Sequence, residues 1–432
     1  MKTNAVRLYG KEDIRLEQFE LPEIRDDEIL AEVVTDSLCI STYKAITQAE
    51  KHKKVPEDIS EHPIIIGHEF CGVILKVGKK WAGQYQEGDK FIIQPNIGDQ
   101  RGYAPGYSFP YMGGDATKII FSNQVMENGS LLKYNGDSFF EGSLVEPLSC
   151  VVGAFNAQYH IRKMYSYDHV MGIKENGTMA LLGATGPMGF LAIDLAIHGP
   201  KKPSLLVVTG RTQSKLNLAA RLYTEEEARK QGVKLLYVNT GKTEDISGSL
   251  RSYTEADYGF DDVFIFAPDH ALVTAGAKML AYDGCLNFFS GPADKEFSTE
   301  VNFYNVHYNS AHFTGTSGGN TEDMKQSIEL IEKKAVDVSK IVTHILGLDQ
   351  VADVTKALPK LAGGKKVVYT HKRFPLVEVD KMDEMGENKF IAGLQSILKK
   401  NGNFWSAEAE RFFLEHAPEM EPEGALWAGL HP

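Results

Sequence analysis

The sequence is poor in cysteine: four in 432 residues, at positions 39, 71, 150 and 285. These are too few and too scattered for a disulfide framework, so reduced thiols and a cytoplasmic setting are expected. A surplus of positive charge is also missing. Lysine and arginine number 46 against 58 acidic residues, a net of −12. Nucleic acid and anionic membranes are poor partners for such a chain, and an anionic substrate must meet locally placed cations. No signal peptide is read at the start, where Arg7, Lys11, Glu12 and Asp13 leave no apolar core. The uncharged stretch 176–193 has membrane-like length but is broken by Gly177, Gly183, Gly186, Pro187 and Gly189. What remains is ordinary globular composition, 43% apolar and 24% charged, in a chain long enough for two or three domains.

Two rhythms divide the chain. Up to about residue 150, short apolar runs (Ile29–Val34, Ile64–Ile66, Val73–Val77, Phe91–Gln94, Lys118–Phe121) alternate with Gly and Asp turns, which predicts strands. Residues 95–114 are rich in glycine and tyrosine and read as a long functional loop. From about 178 the pattern is strand and helix in turn. Met179–Leu182, Leu205–Val208, Leu235–Val238, Asp262–Ala267 and Leu286–Phe289 are predicted strands. Gly186–His198, Ser214–Leu222 and 269–280 are predicted helices between them. That alternation means a parallel, doubly wound α/β sheet. Helix 320–334 carries Met324, Ile328 and Ile331 on one face, and 371–432 reads as charged and helical with a Pro-rich end.

Between the first strand and helix of this second region runs Gly183-Ala-Thr185-Gly186-Pro187-Met188-Gly189. Small residues there let backbone approach a pyrophosphate, and the helix N-terminus offers N–H groups and positive dipole. A glycine triplet alone can be an ordinary turn; the strand before, the helix after and the strand at 205–208 favour a dinucleotide. The next strand ends Val208-Thr209-Gly210-Arg211-Thr212. It lacks the acid that would hold a ribose 2′-hydroxyl. Arg211, with Lys215 one helical turn on, can meet a 2′-phosphate instead, which favours NADP(H) over NAD(H).

Cys39, His68, Glu69 and Glu146 offer thiolate, imidazole and carboxylate, the donors of a catalytic zinc with one open position. Each also has a bland reading: a core thiol, a hydrogen-bonded loop histidine, a helix cap at Glu146. No short ligand spacing joins them, so composition alone leaves the metal open.

Together these segments resemble the zinc-dependent medium-chain alcohol and polyol dehydrogenases, in their sorbitol dehydrogenase branch. Cys39-Ile-Ser41 resembles the first zinc-ligand motif, and Gly67-His68-Glu69-Phe70-Cys71-Gly72 the Gly-His-Glu signature. Gly88-Asp89-Lys90-Phe91, Gly113-Gly114-Asp115-Ala116, Glu146-Pro147-Leu148-Ser149 and 336–344 match further elements in order. Lys44 closes the run that begins at Cys39. With the tail Asn401-Gly-Asn-Phe-Trp405-Ser-Ala-Glu-Ala-Glu410, that run looks like the subgroup reducing L-sorbose 1-phosphate.

The resemblance implies a GroES-like catalytic domain, 1–155 plus 316–432 with a C-terminal helical extension. A Rossmann nucleotide domain, 156–315, is inserted in it. It implies one catalytic zinc on Cys39 and His68, with Glu69 and Glu146 trading direct and water-mediated contact. No structural zinc is expected, because no cysteine lies between 71 and 150. Ser41 would relay a proton. Gly291 and 315–319 would border the nicotinamide.

Two departures stand out: Thr42 replaces the family's aspartate and Lys44 its relay histidine. Lys44, Arg101 and Lys118 are the candidate cations for a phosphate. A homo-oligomer, dimer or tetramer, joined by an edge strand near 286–290 is expected by analogy. Two other readings stay open: an unphosphorylated polyol or secondary-alcohol dehydrogenase, and a zinc-free NADP-binding sensor or structural protein.

Overall fold

The computed structural model describes residues 1–164, 166–386 and 388–421. The Pro-rich end expected at 422–432 lies outside them. The chain forms two compact units, Met1–Glu146 with Val338–Pro432, and Pro147–Asp337. Among the described residues no helix is long and apolar enough to cross a membrane.

The first unit is β-rich. Its main sheet orders Val377–Glu378, Val342–Gly347, Lys365–Tyr369, Ile29–Ser37, Phe70–Val77, Lys90–Ile93 and Leu131–Lys133, with Lys118–Phe121 paired to Ile29–Ser37. Ile29–Ser37 is buried along its whole length, as a central strand should be. A second sheet joins Asp13–Glu20, Lys2–Gly10 and Ile64–Ile65. The strand Ile64–Ile65 delivers Gly67 and His68 to the unit's interior. Gly67 has φ +89°, and a Cβ there would lie 2.5 Å from the Asp36 carboxylate and 2.7 Å from the Asp115 nitrogen. Only glycine fits that corner.

The tail of the chain belongs to this unit and is pinned to it. Helices Lys389–Lys400 and Ala407–His416 follow one another. Trp405 is fully buried and its indole N–H donates to the Tyr369 hydroxyl at 2.6 Å. The Glu410 carboxylate accepts from the amides of Phe139 (2.6 Å) and Phe140 (2.8 Å), at the start of helix Phe139–Ser143. Those amides have no intrahelical acceptor, so a carboxylate from the tail completes them. Burial pushes the Glu410 carboxyl up to about 7.

The second unit carries a six-stranded parallel sheet in the order Lys234–Asn239, Leu205–Gly210, Thr178–Leu182, Phe260–Ile265, Leu280–Phe288, His312–Gly315. The chain order therefore reverses between Thr178–Leu182 and Phe260–Ile265, where doubly wound sheets bind ligands. One expectation is corrected here. The region near 286–290 is no edge: Leu280–Phe288 lies between Phe260–Ile265 and His312–Gly315. The four-residue strand His312–Gly315 takes the outer position instead.

Candidate metal centre and nucleotide loop

Backbone pairing explains how distant residues meet in the first unit. The Ser37 amide donates to the Glu69 carbonyl (3.0 Å), and the next amide, Leu38, donates to Lys366 (2.9 Å). One strand end thus sits between the Gly-His-Glu corner and the strand Lys365–Tyr369. Cys39 follows immediately, as the extended residue before helix Ile40–Gln48. Ligand atoms of Cys39, His68 and Glu69 all lie within 4.8 Å of one another. Sulfur, imidazole and carboxylate at that spacing suit a zinc ion.

The surroundings orient each donor. Thr42 Oγ1 lies 3.2 Å from His68 Nδ1. Ser41 Oγ lies 3.2 Å and the Tyr107 hydroxyl 3.3 Å from His68 Nε2. Thr42 thus touches the imidazole nitrogen remote from Ser41, a position from which a partner fixes a ligand histidine. The Ser41 hydroxyl donates to Cys39 Sγ at 3.0 Å, and the Tyr107 hydroxyl donates to Ser41 Oγ at 2.9 Å. Glu69 is held by Lys365, whose ammonium donates to Oε1 at 2.6 Å and also reaches Oε2. Ser37 donates to the same carboxylate, and the Glu69 amide donates to Asp36 at 3.0 Å.

Electrostatics follow from this burial. Desolvation holds His68 down to about 4, so its imidazole is neutral at pH 7 and free to act as a ligand. Burial, then the Glu69 charge, pushes the Cys39 thiol up to about 12. A dication held here would offset that cost by stabilising the thiolate. Burial would raise Glu69, but Lys365, with His68 and the Ser37 hydroxyl, outweighs it and holds the carboxyl below its usual range. Asp36 and Asp115 lie buried beside Gly67. Burial raises both, Asp115 to about 7.

Glu146 sits in the first turn of helix Val145–Asn156 rather than capping it. Its charge raises the Cys39 thiol and the Tyr107 phenol, although it is not one of the three clustered donors. Lys44 is half-buried on helix Ile40–Gln48. Arg101 is tied to Asp99 at 3.1 Å in an exposed loop. Lys118 is buried between Glu32 (3.7 Å) and Glu421 (3.8 Å), a poor setting for an anion. Lys365 and Tyr107 complete the centre, and neither was singled out as functional from the sequence. Lys365 is 296 positions from Glu69 and leaves no local signal.

In the second unit the glycine loop closes Thr178–Leu182. Gly183 has φ +70°, and its amide donates to Thr209 Oγ1 at 3.1 Å. A Cβ on Gly189 would lie 2.3 Å from the Ala184 carbonyl, so glycine is required for helix Pro187–His198 to start this close. Thr185, Gly186, Pro187 and Met188 are half-exposed at that helix start. Arg211 and Lys215 are exposed past Leu205–Gly210, and Arg211 pairs with Asp269 at 3.2 Å. Gly291 is exposed beyond Leu280–Phe288.

Two family models match: the alcohol dehydrogenase GroES-like domain over 25–126 and the zinc-binding dehydrogenase over 187–333. An L-sorbose 1-phosphate reductase of Klebsiella pneumoniae is 50% identical over 97% of this chain and 98% of its own length. A mannitol-1-phosphate 5-dehydrogenase of Aliivibrio fischeri is 44% identical over 96% of this chain and 98% of its own. Among solved structures, a Sinorhizobium meliloti protein described as a zinc-binding dehydrogenase bound to NADP aligns with TM-score 0.69 and 18% identity. The alignment covers 86% of this chain and 100% of that one.

Proposed function

The chain belongs to the zinc-dependent medium-chain alcohol and polyol dehydrogenases, and on that basis we propose that it reduces L-sorbose 1-phosphate to glucitol 6-phosphate with NADPH. The reaction type rests on one observation: the Cys39–His68–Glu69 cluster with the Ser41 hydroxyl against it. The substrate rests on similarity to the Klebsiella enzyme across nearly the whole chain. The mannitol-1-phosphate relative supports the same class, a phosphorylated ketose and its polyol.

One zinc would be held by Cys39 and His68, with Glu69 and Glu146 as the carboxylates at its edge. Bound zinc supplies a Lewis acid that polarises the carbonyl, and bound NADPH supplies the hydride. The Ser41 hydroxyl would give its proton to the carbonyl oxygen as the carbonyl is reduced and take one back along its hydrogen bond from the Tyr107 hydroxyl, which is itself reprotonated, the net proton coming from solvent. Burial keeps the Tyr107 phenol protonated for that role. Lys365 keeps Glu69 anionic and in place. Lys44 stands where the relay histidine would and adds positive charge. The Gly183–Gly189 backbone receives the pyrophosphate, with Gly291 toward the nicotinamide. Arg211 and Lys215 receive the 2′-phosphate and so favour NADP(H).

The same reading includes a cytoplasmic homo-oligomer. Four cysteines outside any disulfide support the compartment. The outer strand His312–Gly315 and the exposed Phe303, Tyr304 and Tyr308 support assembly.

The test is the initial rate of NADPH oxidation on zinc-replete enzyme with L-sorbose 1-phosphate beside L-sorbose. A kcat/KM at least about tenfold higher for the ester is expected if one charged hydrogen bond reads the phosphate. Equal or better turnover of free L-sorbose would move the chain to the unphosphorylated polyol dehydrogenases.

A further inference from the structure

A chain of net charge −12 has to place cations deliberately where it binds an anion. The sequence Lys51-His52-Lys53-Lys54 is the densest basic run close to the metal ligands. As a sequence it resembles a solvated charge run. In the fold it closes over Tyr107. Lys54 Nζ lies 4.7 Å from the Tyr107 ring centroid, and the His52 ring stacks on Tyr107 at 5.8 Å between centroids with a 10° interplanar angle. The Ser108 hydroxyl donates to the Lys54 carbonyl at 2.6 Å, which fastens the run to the tyrosine loop. The hydroxyl of that same tyrosine touches Ser41 and His68. One buried ring therefore has the proton-donating serine at its hydroxyl end and an ammonium over its face.

We propose that Lys54, with His52 and Lys44 beside it, forms the seat of the substrate's phosphate, and that Tyr107 spaces this seat from the metal ligands. The assignment rests on the reading of the chain as a ketose-phosphate reductase. Three features carry it further than proximity. First, His52 feels Lys44, Lys53 and Lys54 together, and burial with these charges holds its imidazole down to about 4. It is therefore a neutral donor at pH 7. Its Nδ1 accepts the Lys54 amide at 3.3 Å, which leaves the Nε2 proton for an anion. Second, the ring that carries the Lys54 ammonium on its face brings its hydroxyl to 3.3 Å from His68 Nε2, so one tyrosine side chain separates the seat from the clustered donors. Third, Arg101 faces Asp99, Lys118 lies between Glu32 and Glu421, and Lys365 is paired with Glu69, so each of these three cations presents a neighbouring carboxylate to an incoming anion.

The experiment compares wild type, Lys54→Met and Lys54→Arg on zinc-replete enzyme, with L-sorbose 1-phosphate and L-sorbose as substrates and inorganic phosphate as inhibitor. The phosphate preference is the ratio of kcat/KM for the ester to that for the free ketose. It should fall about 10–100-fold in Lys54→Met, through KM for the ester, and recover most of its value in Lys54→Arg. Inorganic phosphate should inhibit L-sorbose reduction by wild type competitively and inhibit Lys54→Met at least tenfold more weakly. A wild type that prefers the ester while Lys54→Met keeps the full preference would overturn the seat and leave the reductase reading standing. A loss falling on KM for NADPH, equally with both substrates, would also overturn it by assigning Lys54 to the cofactor. A wild type indifferent to the phosphate would remove the reductase reading and this inference together.

Discussion

Seven consecutive residues, Gly183–Gly189, make the candidate nucleotide loop, whereas the candidate metal centre collects side chains from positions 39, 41, 42, 68, 69, 107 and 365. The loop works with backbone: amides at a helix start, and glycines where a Cβ would strike a carbonyl. Its cations, Arg211 and Lys215, are exposed. The candidate metal centre works with side chains held by one another: Thr42, His68, Glu69, Tyr107 and Lys365 are buried, Cys39 and Ser41 half-buried. An exposed ion pair such as Arg211–Asp269 is worth little and exchanges its partner cheaply. A buried pair such as Lys365–Glu69 exchanges nothing, because losing either member strands a charge in the core. The first site should therefore yield to substitution gradually and the second abruptly.

The sharpest break of that contrast is Cys39→Ala. Losing a ligand removes the Lewis acid, worth several kcal/mol of transition-state stabilisation, so kcat/KM should fall by about a thousandfold or more. NADPH affinity, followed by fluorescence titration, should stay within about twofold, since the loop lies in the other unit. Lys365→Met comes next. It leaves the Glu69 carboxylate buried and unpaired and should cost about 3–5 kcal/mol. Tryptophan fluorescence during denaturant unfolding reads this, because Trp81 and Trp405 are buried in the first unit. The smallest effect belongs to the exposed cation. Arg211→Ala should weaken NADPH by about 1–3 kcal/mol and NADH hardly at all. An equal loss for both cofactors would remove Arg211 from the 2′-phosphate.

The two sites differ in legibility for the same reason. The glycine loop, its strand and its helix are contiguous, and the apolar runs around it mark the parallel strands within a few residues of where they lie. The three clustered donors Cys39, His68 and Glu69 were legible through their motifs, but the side chains that hold them were not. Lys365 and Lys366 open a buried strand, yet two lysines in sequence read as surface. Tyr107 lies in a loop noted only for its glycines and tyrosines, and Lys51–Lys54 carries no motif that singles it out. The hairpin Lys2–Gly10 with Asp13–Glu20 went unread because charged residues interrupt its alternation. The tail was visible as an extension, but its purpose was not. Glu410 is one acid among several in the sequence, and only the fold shows it bonded to the amides of Phe139 and Phe140.

The most direct test of the account is a zinc titration. Protein stripped with a chelator would be reloaded stepwise, with bound metal counted and NADPH oxidation by L-sorbose 1-phosphate measured at each step. A single metal centre at Cys39, His68 and the flanking glutamates predicts negligible rate without zinc, a linear rise, and a plateau at one zinc per chain. Full activity in zinc-free protein, or a plateau at two, would contradict it.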